Sequence, residues 1–164
     1  MKMTKTRYVS HAAIIAAIYV VLTYLTNLIG LANGAVQCRL SEALCVLPAF
    51  TPAAIPGLFI GCFLSNLLTG CALPDIIFGS VATLLGAYGT MFLSQRGCSK
   101  YLLSLPAIVS NTLIIPLVLK YAYGLNGGLI YFILTVGLGE VISCGVLGAV
   151  LYASIEKKSN QLFG

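Results

Sequence analysis

Apolar residues run almost without interruption along this chain, and the polar residues fall in short breaks between the runs. A spanning helix takes about 20 apolar residues. The breaks and prolines divide the chain into six apolar segments, at 8–28, 38–51, 53–69, 75–94, 101–120 and 128–155, the second of them short for a full span. A transmembrane β-barrel is excluded, because its strands alternate apolar and polar at every second position. The predicted fold is all-α: an integral membrane bundle of six transmembrane helices.

Composition sharpens this. Hydrophobic residues make up 59% of the chain and charged residues 8%, against about 25% charged in soluble domains, and the mean hydropathy is +1.01. Residues 1–164 leave no room for a soluble domain and read as a single membrane-embedded one. The first apolar run, Ala12 to Leu25, is followed by TNLIG with no small-x-small cleavage pattern, so it is kept as a span rather than a signal peptide. The net charge of +5 does not point to nucleic acid. Seven of the nine Lys and Arg residues lie in three clusters: Lys2, Lys5 and Arg7; Arg96 and Lys100; Lys157 and Lys158. Positive residues mark cytoplasmic loops, which requires an even number of spans between clusters. Six helices with both termini cytoplasmic satisfy it, in a multi-pass protein of the cell membrane.

Along helix 1 the run HAAIIAAIY stacks Ala12 above Ala16 and Ala13 above Ala17. Two small-x-x-x-small pairs make a flat strip that a second helix can approach closely. That helix belongs either to this chain or to a separate subunit. The glycine- and asparagine-rich loop NLIGLANGAV that follows permits a lid. Gly57 and Gly61 form a G-x-x-x-G pair on the third helix, and Gly79, Gly86 and Gly89 make the fourth a tightly packing, central one.

The segment 37–80 differs from the rest, with three charges, Arg39, Glu42 and Asp75, and four of the six prolines. A charge at the bilayer centre costs roughly 2.5–3.5 kcal/mol even on the lenient insertion scale. Arg39 and Glu42 share a helix face, either as a self-compensating pair at the outer surface or as pocket residues. Asn66 lines a pocket or bonds a neighbouring helix. Asp75, beside Pro74, is either helix-start chemistry or a site residue. Asn111 sits mid-helix as an interhelical bond or a ligand contact, and Tyr121 and Tyr123 suit the interfacial belt. Glu140, near the middle of the last helix, has no Lys or Arg one turn away. Its counter-group comes from another helix or from a ligand. The six cysteines show no C-x-x-C pair and no ligand-like spacing with His11, so they read as small hydrophobes, with no metal site or cofactor.

The run VQCRLSEALCVLPAFTPAAIPGLFIGCFLSNLL, with PDIIFGSVATLLGA behind it, resembles the queuosine-precursor transporter (QueT) family. The R-x-S-E-A-L, F-T-P-A-A-I-P-G and D-I-x-F-G-S pieces, in this order, carry the resemblance. It implies a substrate-binding S-component of an energy-coupling-factor (ECF) transporter, with six helices and a pocket near the outer side. It also implies an Ala-rich first helix that docks on a T-component above two ATPases, which assigns Ala12, Ala13, Ala16 and Ala17 to partner docking. The implied ligand is a 7-deazaguanine: queuine or 7-aminomethyl-7-deazaguanine. A guanine-like edge asks for a carboxylate opposite its two N–H groups and a donor opposite its carbonyl, and an aminomethyl group asks for a second carboxylate. Glu42, Asp75 and Glu140 supply acceptors; Arg39, Asn66 and Asn111 supply donors.

No G-x-S-x-G, H-E-x-x-H or G-x-x-x-x-G-K-[ST] motif is present, so an enzyme or an ATP-binding chain is not indicated. Two alternatives remain: an S-component for another vitamin, and a stand-alone proton-coupled carrier using Glu140.

Overall fold

The computed structural model describes residues 4–30 and 38–159. Among these described residues six helices form: α1 (Lys5–Leu28), α2 (Leu40–Ala49), α3 (Ala54–Leu68), α4 (Leu73–Gln95), α5 (Leu105–Tyr121) and α6 (Leu129–Glu156). No strand occurs among the described residues. The segment read as a lid falls mostly outside them, at 31–36.

Helix α1 begins three residues before the expected Tyr8, because Thr4 caps it with its hydroxyl on the Arg7 amide. Helix α4 begins with Pro74 in its first turn, where a missing N–H costs nothing. A short 3₁₀ turn, Lys100–Leu102, precedes α5, so that helix starts later than expected. The largest departure is α2. It was expected as an α-helix over 38–51, and it is a 3₁₀ helix with Pro48 inside it. Proline offers no N–H and its ring clashes with the carbonyl four residues back. At roughly 2.0 Å rise per residue, the tighter winding still carries these few residues a long way.

Among the described residues four stretches are long and apolar enough to cross a membrane: Lys5–Leu28, Leu73–Gln95, Lys100–Tyr121 and Leu129–Glu156. Helices α2 and α3 are apolar but shorter. They nevertheless run between the two ends of the bundle. At one end Tyr8 reaches the Pro52 carbonyl, Ser94 the Ala49 carbonyl at 3.3 Å, and Lys100 pairs with Glu156 at 3.8 Å. At the other, Leu40 donates to Thr26 Oγ1, and the Tyr123 hydroxyl accepts the Ala72 amide.

Small residues set the helix spacing. A Cβ on Gly57 would lie 2.8 Å from the Ala12 carbonyl oxygen, and one on Gly61 2.7 Å from the Tyr19 Cβ, so α3 lies directly against α1. Gly86 likewise meets the Ala107 backbone, which brings α4 onto α5. Helix α2 is wedged among α1, α4 and α6, with Val46, Leu44 and Leu47 buried. The outward faces carry Ile14, Ile18, Val21, Phe78, Leu85, Leu113 and Leu134. An apolar exterior around a polar centre inverts the soluble pattern and suits a lipid solvent.

Candidate functional site

Ser41 and Glu42 sit on the first turn of α2, and two hydroxyls of α1 fix that turn. Thr26 accepts the Leu40 amide at 3.3 Å, and Thr23 donates to Ser41 Oγ at 2.8 Å. The Glu42 side chain is thereby turned into the bundle, where it is 4% exposed. The Tyr19 hydroxyl of α1 donates to Glu42 Oε1, and Asn111 Nδ2 of α5 donates to Oε2 at 3.4 Å. Glu140 approaches from α6. Immediately after it the helix widens into π geometry over Val141–Leu147, a form that recurs at functional sites. That widened turn carries Cys144, whose thiol donates to Glu140 Oε2 at 3.1 Å and contacts the Glu42 carbonyl oxygen at 3.4 Å.

Between these groups lies a cavity of about 20 Å³, walled by Arg39, Glu42, Asn111 and Glu140 on its polar side. Cys62, Gly79, Thr83, Ile115 and Val136 complete the lining. A space of roughly 10–15 Å³ admits one water, so a bicyclic ligand enters only when the walls part. Larger apolar grooves run over the outer faces, but none gathers this polar set.

The remaining two candidates hold Arg39 in place. Its guanidinium lies 3.3 Å from Asn66 Oδ1 and 3.9 Å from Asp75 Oδ2. Asp75 stands in the first turn of α4, and its carboxylate is directed to Arg39 and to the Tyr123 hydroxyl, which donates to Oδ2 at 3.0 Å. Burial, with the adjacent carboxylate adding to it, pushes the Tyr123 phenol up to about 12, so the hydroxyl keeps its proton as a donor at neutral pH. The expected alternative of an Arg39–Glu42 pair at the surface does not form. Arg39 pairs with Asp75 instead, and Glu42 is bonded by neutral donors. Among the described residues Glu140 has no ion-pair partner.

The four alanines of α1 divide. Ala16 is buried against Gly61, and Ala12 packs on Gly57, whereas Ala13 and Ala17 face outward.

Sequence reasoning passed over Tyr19 and Tyr123. A tyrosine in the middle of an apolar helix must place its hydroxyl on a partner, and that signal was available for Tyr19. Tyr123 lies where a belt residue is expected, which concealed its bond to Asp75. Thr83 and Cys144 gave no sign, because both are ordinary packing residues in membrane helices.

The family model of the QueT transporter matches residues 9–157. The chain belongs to the QueT transporter family. The queuosine precursor transporter QueT of Lactococcus lactis subsp. cremoris is 38% identical over 84 residues, covering 51% of this chain and 49% of that protein. The aligned stretch thus spans about half of that relative's length. No solved structure matches the chain. Membership of this transporter family, with four long apolar helices, makes the chain a multi-pass integral membrane protein of the cell membrane.

Proposed function

We propose that the chain is the substrate-specific subunit of an ATP-driven, energy-coupling-factor importer of queuosine precursors. In this reading residues 1–164 form one substrate-binding domain of six spans with both termini cytoplasmic. Arg39, Glu42, Asn66, Asp75, Asn111 and Glu140 make the binding site. A 7-deazaguanine, such as queuine or 7-aminomethyl-7-deazaguanine, enters from the outer side, and a T-component with two ATPases drives its release inward. The observation that carries the reading is a small cavity inside the apolar bundle of a QueT-family chain, with Arg39, Glu42, Asn111 and Glu140 gathered on its wall. The orientation is supported by Lys5, Arg7, Arg96, Lys100, Lys157 and Lys158, which all belong to the end of the bundle where Tyr8 meets Pro52.

The test is a titration of the detergent-purified chain, alone, against 7-aminomethyl-7-deazaguanine, queuine, guanine, riboflavin and thiamin. Selective binding of a deazaguanine is expected. Binding of a different vitamin would keep the subunit class and discard the substrate. A folded sample that binds none of them, yet supports uptake of a deazaguanine driven by a pH gradient and lost in Glu140→Gln, would make the chain a stand-alone carrier.

A further inference from the structure

The Glu42 and Glu140 carboxylates and the Cys144 thiol lie within 4.8 Å of one another, all three buried. Every hydrogen bond to these carboxylates described above comes from a neutral donor: Tyr19, Asn111 or Cys144. Arg39 also lines the cavity, but its guanidinium is engaged by Asp75 and Asn66. Two carboxylates this close in an apolar interior, held by neutral donors, are relieved by a shared proton or by a cation between them, and a ligand amine supplies the second.

A second feature lies on the Gly79 wall of the same cavity. Asp75 Oδ1 is buried without a hydrogen-bond partner. It stands 3.6 Å from where a Cβ on Gly79 would lie, and Asn66 Nδ2 stands 3.2 Å from the same point. An unsatisfied buried acceptor calls for a donor. With an amide donor beside it, the wall matches a lactam edge, which presents an N–H next to a C=O. The absent side chain of Gly79 leaves that edge bare.

We propose that the site grips its ligand at two ends, with a protonated amine between Glu42 and Glu140 and a lactam edge against Asp75 and Asn66 at Gly79. It therefore selects a cationic aminomethyl-7-deazaguanine over analogues without the charge. This rests on the queuosine-precursor reading and specifies which precursor that reading delivers. A neutral nitrile in place of the amine keeps the ring and its edge but puts no positive charge between the two carboxylates.

The test compares 7-aminomethyl-7-deazaguanine with 7-cyano-7-deazaguanine by equilibrium titration of the full chain in detergent. The wild type should bind the amine at least about tenfold more tightly, since a hydrogen bond to a charged group is worth more than one between neutral groups. Glu140→Gln should bring the ratio close to one by weakening the amine alone. Gly79→Ala should weaken both ligands by the same factor. Equal wild-type affinities, or a ratio unchanged in Glu140→Gln, would overturn the proposal and leave the queuosine-precursor reading standing. Loss of the nitrile alone in Gly79→Ala would overturn the lactam assignment. If the folded wild type binds neither, the broader reading fails with it. The wild-type comparison needs no variant, so misfolding of either mutant leaves the decision intact.

Discussion

At the scale of single residues, the candidate site is a set of charges with different holders: Glu42 is bonded from α1 and α5, Arg39 from α3 and α4, and Glu140 by Cys144 of its own helix. Tyr19 is the most informative of the holders, being 1% exposed with its hydroxyl on Glu42. Tyr19→Phe keeps the ring and removes the donor. It leaves a buried carboxylate oxygen short of one bond, at a cost of about 1–3 kcal/mol. A lower melting midpoint in detergent, with weaker ligand binding, is expected; a midpoint equal to wild type would take Tyr19 out of the site's support. The charged members of the candidate site were legible in the sequence as candidates because Arg39, Glu42, Asp75 and Glu140 stand out against apolar runs. Their pairing was not. Arg39 and Glu42 are neighbours on one helix face, yet each finds its partners elsewhere, and only the placement of α1, α3, α4 and α5 around them decides which.

At the scale of elements, the G-x-x-x-G pair on α3 transmits packing to chemistry. The Gly61 position faces the Tyr19 Cβ and the Ala16 Cα, atoms that cannot swing aside. Gly61→Ala must therefore push α1 away from α3, with an overpacking cost of about 1–3 kcal/mol. It should also draw the Tyr19 hydroxyl off Glu42. Loss of both stability and affinity is expected, measured by thermal melting and by titration on the same sample; loss of stability with unchanged affinity would uncouple the helix pair from the site. This contact was readable from spacing, since two glycines four apart meet a helix whose alanines are also four apart. The 3₁₀ form of α2 was not. Hydropathy counts apolar residues without regard to winding, and Pro48 was read as a breaker of a long run rather than as part of a tight helix. The π turn after Glu140 left no mark in the pattern either, because Val141–Leu147 is apolar in any helical form.

At the scale of the whole molecule, the outer face of α1 and the direction of the bundle decide how it works with partners. Ala13 and Ala17 face outward while Ala12 and Ala16 are taken up by α3, so the proposed docking strip narrows to the first pair. Ala13→Trp should abolish co-purification with a T-component and leave ligand binding by the lone chain at wild-type strength. Normal co-purification would move docking to another face. The direction can be read from two native thiols at opposite ends. Cys71 lies in the α3–α4 connection beside Ala72, whose amide meets Tyr123, and Cys98 lies in the α4–α5 connection between Arg96 and Lys100. Both are part-exposed. With the termini cytoplasmic, Cys71 faces outward and Cys98 inward. In intact cells, a membrane-impermeant maleimide should therefore label a variant that keeps only Cys71. A variant that keeps only Cys98 should be labelled only after permeabilisation. The opposite pattern would invert the bundle and place the Tyr123–Asp75–Arg39 side of the site on the cytoplasmic side, where an importer could not load. Labelling of both in intact cells would break the alternation itself, and with it the six-span count. The experiment thus tests the one feature of the proposal that rests on the distribution of charge along the chain rather than on the geometry of the site.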